Sequence, residues 1–171
     1  TVIDQSTGEV KAIVGGRGDK TASKTLNRAT DTTRQPGSTF KILASYSAAL
    51  DAGGLTLASV QDDAPYTYAG ANGKSVSNYD KRYRGFTTLR EAITDSINIV
   101  TVKTLAQVGV SLGWQYVQEY GFTTVDSRDM NEALALGGIT QGVSNLELTA
   151  AYAAIANQGT YIKPKFYTKI L

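Results

Sequence analysis

Ser38 and Lys41 stand one helical turn apart in a chain of 171 residues that holds no histidine and no cysteine. Those absences remove a Ser-His-Asp triad, a cysteine nucleophile and an ordinary His/Cys zinc site. A serine activated by a lysine is the nucleophilic chemistry that remains. On a helix, residues three apart share a face, so the lysine amine can reach back toward the serine oxygen. Pro36 and Gly37 directly precede the serine and place it at a helix start. There, free backbone N–H groups and the helix dipole favour developing negative charge. Lys41 follows among small and apolar residues, where desolvation is expected to bring its pKa down toward the range of a proton acceptor. The same residues also read as an N-cap serine beside a surface lysine, and the pair alone does not choose between these.

A second polar pair lies at Ser96 and Asn98. In one unbroken helix these positions would point about 200° apart. They can face one cleft only if the helix breaks there. Asp95-Ser96-Ile97-Asn98 is a plausible break, because Asp, Ser and Asn compete with the helical backbone for hydrogen bonds. A hydroxyl and an amide emerging together between two helices could relay a proton and hold a peptide carbonyl. On an exposed helix face the same two residues would do nothing.

The elements that must position these groups are readable in outline. Residues 1–5 and 9–14 form β-type runs around a Ser6-Thr7-Gly8 turn. A polar loop leads to Arg34-Gln35-Pro36-Gly37, and a helix follows from about Ser38 to Ala52, stopped by Gly53-Gly54. Residues 55–86 read as a long irregular segment, whose tyrosines argue for ordered packing beside a cleft. Thr88-Leu89-Arg90-Glu91 and Ser144-Asn145-Leu146-Glu147 are capping boxes that open helices. A short helix is expected over 111–119, and 161–171 reads as extended. Strands at both ends and helices between them predict an α+β layer arrangement within one domain.

Composition excludes several partners. The formal net charge is +2, and no basic stripe argues for nucleic acid. Lys81-Arg82-Tyr83-Arg84 reads as a solvated loop. No apolar run approaches the ~20 residues of a membrane span. Gly15 to Thr21 is not a phosphate loop, since Asp19 precedes Lys20 where glycine is required, and Arg17-Gly18-Asp19 carries no weight as an adhesion motif.

Arg34-Gln35-Pro36-Gly37-Ser38-Thr39-Phe40-Lys41 resembles the nucleophile motif of penicillin-binding proteins, and Ser96-Ile97-Asn98 resembles their Ser-x-Asn motif. Asn78-Tyr79-Asp80 with Gly85 and Thr88-Leu89-Arg90-Glu91-Ala92 is similar to the run before that motif in class A members. Ala135-Leu136-Gly137, Gly142-Val143-Ser144 and Leu146-Glu147-Leu148 are similar to a later class A motif. The resemblance spans nearly the whole chain. It implies the penicillin-binding-protein/serine β-lactamase-like fold, with helices packed on an antiparallel sheet that is incomplete here.

The resemblance also implies D,D-transpeptidation of peptidoglycan stem peptides through a serine acyl-enzyme, with β-lactams as covalent ligands. It makes Ser38 the nucleophile, Lys41 its base, Ser96 the proton shuttle and Asn98 the holder of the substrate amide. It implies no cofactor or metal, and a place on the outer face of a bacterial cytoplasmic membrane with the anchor elsewhere. The base assignment is disputed across this superfamily. The family's third motif, Lys-Thr-Gly, is missing. The chain is therefore expected to be the N-terminal part of a single transpeptidase domain. The missing strands would lie beyond Leu171 or on a second chain. A serine β-lactamase would need a deacylating group, and the Glu-x-x-Leu-Asn run is absent. A β-lactam sensor that acylates without turnover would use the same first step.

Overall fold

The computed structural model describes residues 1–69 and 74–170. The elements begin with β1 (Val2–Ile3), β2 (Val10–Ala12) and β3 (Thr33–Arg34). A helical run follows, made of a 3-10 turn (Gly37–Thr39), a π-helical turn (Ile42–Tyr46) and α1 (Ser47–Asp51). Four short strands come next: β4 (Val60–Asp63), β5 (Tyr66–Thr67), β6 (Ser75–Val76) and β7 (Gly85–Thr88). Helices α2 (Leu89–Thr94), α3 (Asn98–Val108) and α4 (Val110–Glu119) precede two 3-10 turns, Ser127–Asp129 and Glu132–Leu136. β8 (Val143–Ser144) and α5 (Asn145–Ala156) complete the series.

These elements fall into two compact units. One comprises Thr1–Gln35, Gln118–Val125 and Gln141–Leu171; the other comprises Pro36–Val117 and Asp126–Thr140. In the first unit β1 and β2 form the expected hairpin, with Val2 opposite Ala12 and Ile3 opposite Val10. β3 pairs antiparallel with β8. Ser144 then caps α5: its Oγ accepts the Glu147 N–H at 3.2 Å while a Glu147 carboxylate oxygen accepts the Ser144 N–H at 3.2 Å. Residues 161–170 contribute less sheet than their alternation suggests. Among the described residues they meet the hairpin at a parallel bridge, Glu9 to Lys165, where the Val10 N–H donates to the Lys165 carbonyl at 3.0 Å and the Lys165 N–H donates to the Gly8 carbonyl at 2.9 Å.

The second unit carries Ser38, Lys41, Ser96 and Asn98. Its core includes Tyr46, Leu89, Ala92, Ile97 and Val100, with Ile42, Leu55 and Ile93 packed against them. Thr88 opens α2 through the expected capping box, accepting the Glu91 N–H at 3.2 Å and donating its own N–H to Glu91 at 3.0 Å. The segment expected to be irregular is not. β4 pairs with β7 from Val60–Thr88 to Asp63–Gly85, and β5 pairs with β6. These strands are too short, and their exposure too mixed, to show a period of two in sequence. Nor do all the tyrosines pack: Tyr79 is 97% exposed.

The helical run after Pro36 also departs from the regular helix expected. A π turn widens it directly after Lys41, and the Ser47 N–H and Oγ both bond the Ile42 carbonyl, the latter at 2.8 Å. Single π turns cluster at functional sites. Ser45 and Tyr46 are anchored to α3, Ser45 Oγ donating to the Thr101 carbonyl at 2.9 Å and Tyr46 Oη lying 2.8 Å from Thr101 Oγ1.

Gly137 ends the 3-10 turn Glu132–Leu136 with φ +72°. A methyl group on it would lie 2.5 Å from the Gly37 nitrogen and 2.6 Å from the Gly37 carbonyl oxygen. Its lack of a side chain therefore lets the Glu132–Leu136 turn lie directly against the turn that carries Ser38. Gly137→Ala is expected to cost at least about 1–2 kcal/mol from the left-handed backbone alone, before the clash is relieved. Urea unfolding of the variant measures this. A loss below about 0.5 kcal/mol, the usual range of an innocuous surface change, would show that the turn relaxes freely.

Candidate active site

Ser38 sits in the 3-10 turn Gly37–Thr39, exposed, with Pro36 as the preceding cap. Thr39 Oγ1 donates to the Pro36 carbonyl at 2.7 Å and pins the turn. Phe40, the next residue, is fully buried and ties the turn into the core. The serine therefore lies at a helix start, as its Pro-Gly prefix predicts.

Lys41 is only 3% exposed. Its Nζ donates to three oxygens: the Ser96 carbonyl at 2.5 Å, Ser96 Oγ at 2.9 Å and Asn98 Oδ1 at 2.6 Å. Burial lowers its pKa from the ordinary 10.5 to about 8, since desolvation disfavours the charged form. The surface-lysine alternative is thereby excluded. Ser38 lines the same cleft, of about 640 Å³, as Ser96 and Asn98.

Ser96 reaches Lys41 because the helix breaks where its polar residues suggest. α2 ends in a Schellman turn: the Ile97 N–H bonds the Ala92 carbonyl at 2.9 Å and the Ser96 N–H bonds the Ile93 carbonyl at 3.3 Å. Ile97 and Ala92 share the core below it. Ser96 takes the left-handed position of that turn with φ +54°, a place usually given to glycine. A serine held there is a strained residue of the kind found at functional sites. The turn carries both its carbonyl and its hydroxyl to Lys41 Nζ.

Asn98 is the first residue of α3. Its side chain bridges, accepting from Lys41 and donating from Nδ2 to the Ser77 carbonyl at 2.9 Å. Three of the four expected side chains are thus joined by direct hydrogen bonds, and the fourth opens on the same cleft. A buried amine of lowered pKa against a hydroxyl, with an amide beside them, is equipped to move a proton at an acyl centre.

The structure also shows contributors to which sequence reasoning gives no role at the site. Tyr79 and Lys81 line the cleft. Asn78, though only 3% exposed, borders it as well, and Asp63 is fully buried; the signal available for Asn78 is its place in the run before Ser96. Arg84, expected in a solvated loop, pairs with Asp80 at 2.9 Å and reaches the buried Asp63 at 3.7 Å.

Residues 1–171 match the family model for the penicillin binding protein transpeptidase domain. The chain belongs to that family. It is 43% identical over 169 residues to penicillin-binding protein 1F of Bacillus subtilis (strain 168), covering 99% of this chain and 22% of that protein. The chain thus spans about a fifth of the length of the curated relatives it matches. The crystal structure of penicillin-binding protein 1A from Haemophilus influenzae superposes with a TM-score of 0.74 at 34% identity, over 83% of this chain and 21% of that one. Penicillin-binding protein A from M. tuberculosis, in its penicillin G acyl-enzyme complex, superposes with a TM-score of 0.71 over 85% of this chain and 38% of that one. At 24% identity that likeness shows the shared fold. Helices with small antiparallel sheets are therefore the transpeptidase fold that the motifs imply.

Relieving the backbone at Ser96 should separate its two contributions. Ser96→Gly is expected to be about 1 kcal/mol more stable than Ser96→Ala, because only glycine takes a positive φ without cost. Thermal unfolding of the two variants gives the difference. Equal stabilities would mean that the turn is not strained.

Proposed function

We propose that this chain supplies the serine–lysine part of a peptidoglycan D,D-transpeptidase site. The observation that carries the reading is the triple hydrogen bond from buried Lys41 to Ser96 and Asn98, in a cleft that also exposes Ser38. Ser38 Oγ attacks the carbonyl of the penultimate D-alanine of a stem peptide, and neutral Lys41 takes its proton. The peptide bond to the terminal D-alanine breaks; Ser96 Oγ delivers its proton to the leaving nitrogen and is reprotonated by the Lys41 ammonium across their hydrogen bond, so that Lys41 is neutral again and an acyl-enzyme remains. The amine of a neighbouring stem then attacks the ester and gives up a proton through Ser96 to Lys41, which returns it to Ser38 Oγ as the ester bond breaks, forming the cross-link and restoring the Ser38 hydroxyl. Asn98 holds the substrate amide. A β-lactam enters the first step and stays attached, because its leaving group remains tethered to the acyl chain.

The family's Lys-Thr-Gly motif does not occur in these residues. We propose that a further segment or a second chain supplies it, making these residues the N-terminal part of one transpeptidase domain. Among the described residues no helix is long and apolar enough to cross a membrane. The proposed substrate places the site outside the cytoplasmic membrane, with any anchor carried by other parts of the protein.

Two measurements test the reading on the full polypeptide that carries this chain. Intact-mass analysis after exposure to penicillin should show one adduct, mapped to Ser38 and absent from Ser38→Ala; an adduct retained by that variant would sink the assignment. The pH dependence of acylation tests the base. Only a neutral amine can accept the serine proton, and burial has brought that ionisation down to about 8. The acylation rate should therefore climb as pH rises through about 8 and level off above it. A rate that stays flat between about pH 7 and 9 would remove Lys41 as the base.

A further inference from the structure

Ser96 and Asn98 are held from behind by a buried polar chain to which the chemistry above assigns no part. Asn78 is 3% exposed and Asp63 is 0% exposed. The Asn78 amide uses both of its ends. Its Oδ1 accepts the backbone N–H groups of Asn98 and Ile99, at 3.1 and 3.2 Å, and so caps α3 from a distant loop. Its Nδ2 donates to both oxygens of Asp63, at 2.8 and 3.0 Å, and to the Arg82 carbonyl at 2.8 Å. Asp63, on β4, also accepts the Arg84 N–H at 3.0 Å and faces the Arg84 guanidinium at 3.7 Å.

The chemistry of these groups fixes the direction of the chain. A carboxylate can only accept, so Asp63 makes the Asn78 NH₂ face β4 and its carbonyl oxygen face α3. The residue before α3 is Ile97, which has no side-chain acceptor to cap the helix. The start of α3 therefore depends on Asn78. That start carries Asn98, and Ser96 lies two residues earlier, between the Schellman turn and the capped helix. The adjacent Ser77 carbonyl holds the Asn98 Nδ2 in turn. β4, the loop 77–82 and the Ser96–Asn98 turn thus form one hydrogen-bonded strut ending at Lys41.

We infer that Asn78, oriented by Asp63, is a positioning residue for acylation, setting where Ser96 and Asn98 meet Lys41. The inference rests on the transpeptidase reading of the site and adds to it the residue pair that holds the second motif in place. Asn78 acts through the start of α3 rather than on the reacting atoms. Misplacement of a reacting group by about 1 Å, from a change remote from the chemistry, costs about 100-fold in rate.

The test compares Asn78→Asp with the double exchange Asp63→Asn/Asn78→Asp in the full polypeptide that carries this chain. Asn78→Asp sets two carboxylates against each other, and its acylation rate by penicillin should fall about 100-fold. In the double exchange the new amide at position 63 would donate to the new carboxylate at position 78 and still accept from Arg84, while the Arg82 carbonyl would lose the donor it has in Asn78 Nδ2 and face a carboxylate oxygen, so that recovery is incomplete. That carboxylate would in turn accept from both backbone N–H groups at the start of α3. The rate should recover to within about tenfold of the unaltered protein. Each rate is taken per acylable molecule from the amplitude of adduct formation. A merely structural role lowers the amplitude and leaves that rate unchanged.

An unchanged rate in Asn78→Asp overturns the inference, as does a double exchange that acylates no faster than the single variant. If Asn78→Asp does not fold, the double exchange decides alone. Recovery to within tenfold supports the inference; a slower rate or no acylable protein overturns it. An unaltered protein that forms no adduct at Ser38 would instead refute the transpeptidase reading. The two failures are therefore distinct.

Discussion

Lys41 is a cation taken out of water, and the second unit is arranged around making that tolerable. A buried ammonium without partners would be far too costly to keep. Three oxygens around Nζ replace its hydration, and all three come from two residues of one short turn. The turn must therefore hold an unusual shape, with Ser96 at positive φ and Ile97 extended between two helices. Everything that keeps the turn in that shape also sets the environment of the amine. The Schellman closure of α2, the apolar seat of Ile97 and the remote cap on α3 serve the lysine before they serve the helices.

The π turn behind Lys41 belongs to the same arrangement. It widens the helix immediately after the lysine, and Ser45 and Tyr46 fasten the widened part to Thr101 of α3. Thr101 is itself satisfied by the Ile97 carbonyl at 2.6 Å. The helix bearing the amine and the helix bearing its acceptors are thus joined by buried hydrogen bonds as well as by apolar packing. Such bonds are costly to break singly, since each leaves a buried polar group unpaired.

What was legible in the sequence follows from how local each signal is. The Ser-x-x-Lys spacing, the two capping boxes and the polar break at Asp95-Ser96 are settled by neighbours within a few residues, and all appear where expected. The short strands between Val60 and Thr88 are not local. They exist because β4 meets β7 across more than twenty residues, with no periodicity of their own to announce them. The π turn has no local signal either, and the residue that Ser45 and Tyr46 of that turn bond to, Thr101, lies far along the chain. Asn78 shows the limit most clearly. An asparagine in a polar loop looks like a turn residue, and only the fold reveals that its two ends meet a carboxylate and a helix start.

The three bonds of Lys41 carry a consequence in simple valence. An ammonium has three hydrogens and here has three acceptors, one for each. A neutral amine has two hydrogens and a lone pair. Loss of the proton therefore leaves one of the three oxygens without a hydrogen from the lysine and turns one corner of the nitrogen from donor to acceptor. Deprotonation and a change of partners are a single event at this nitrogen.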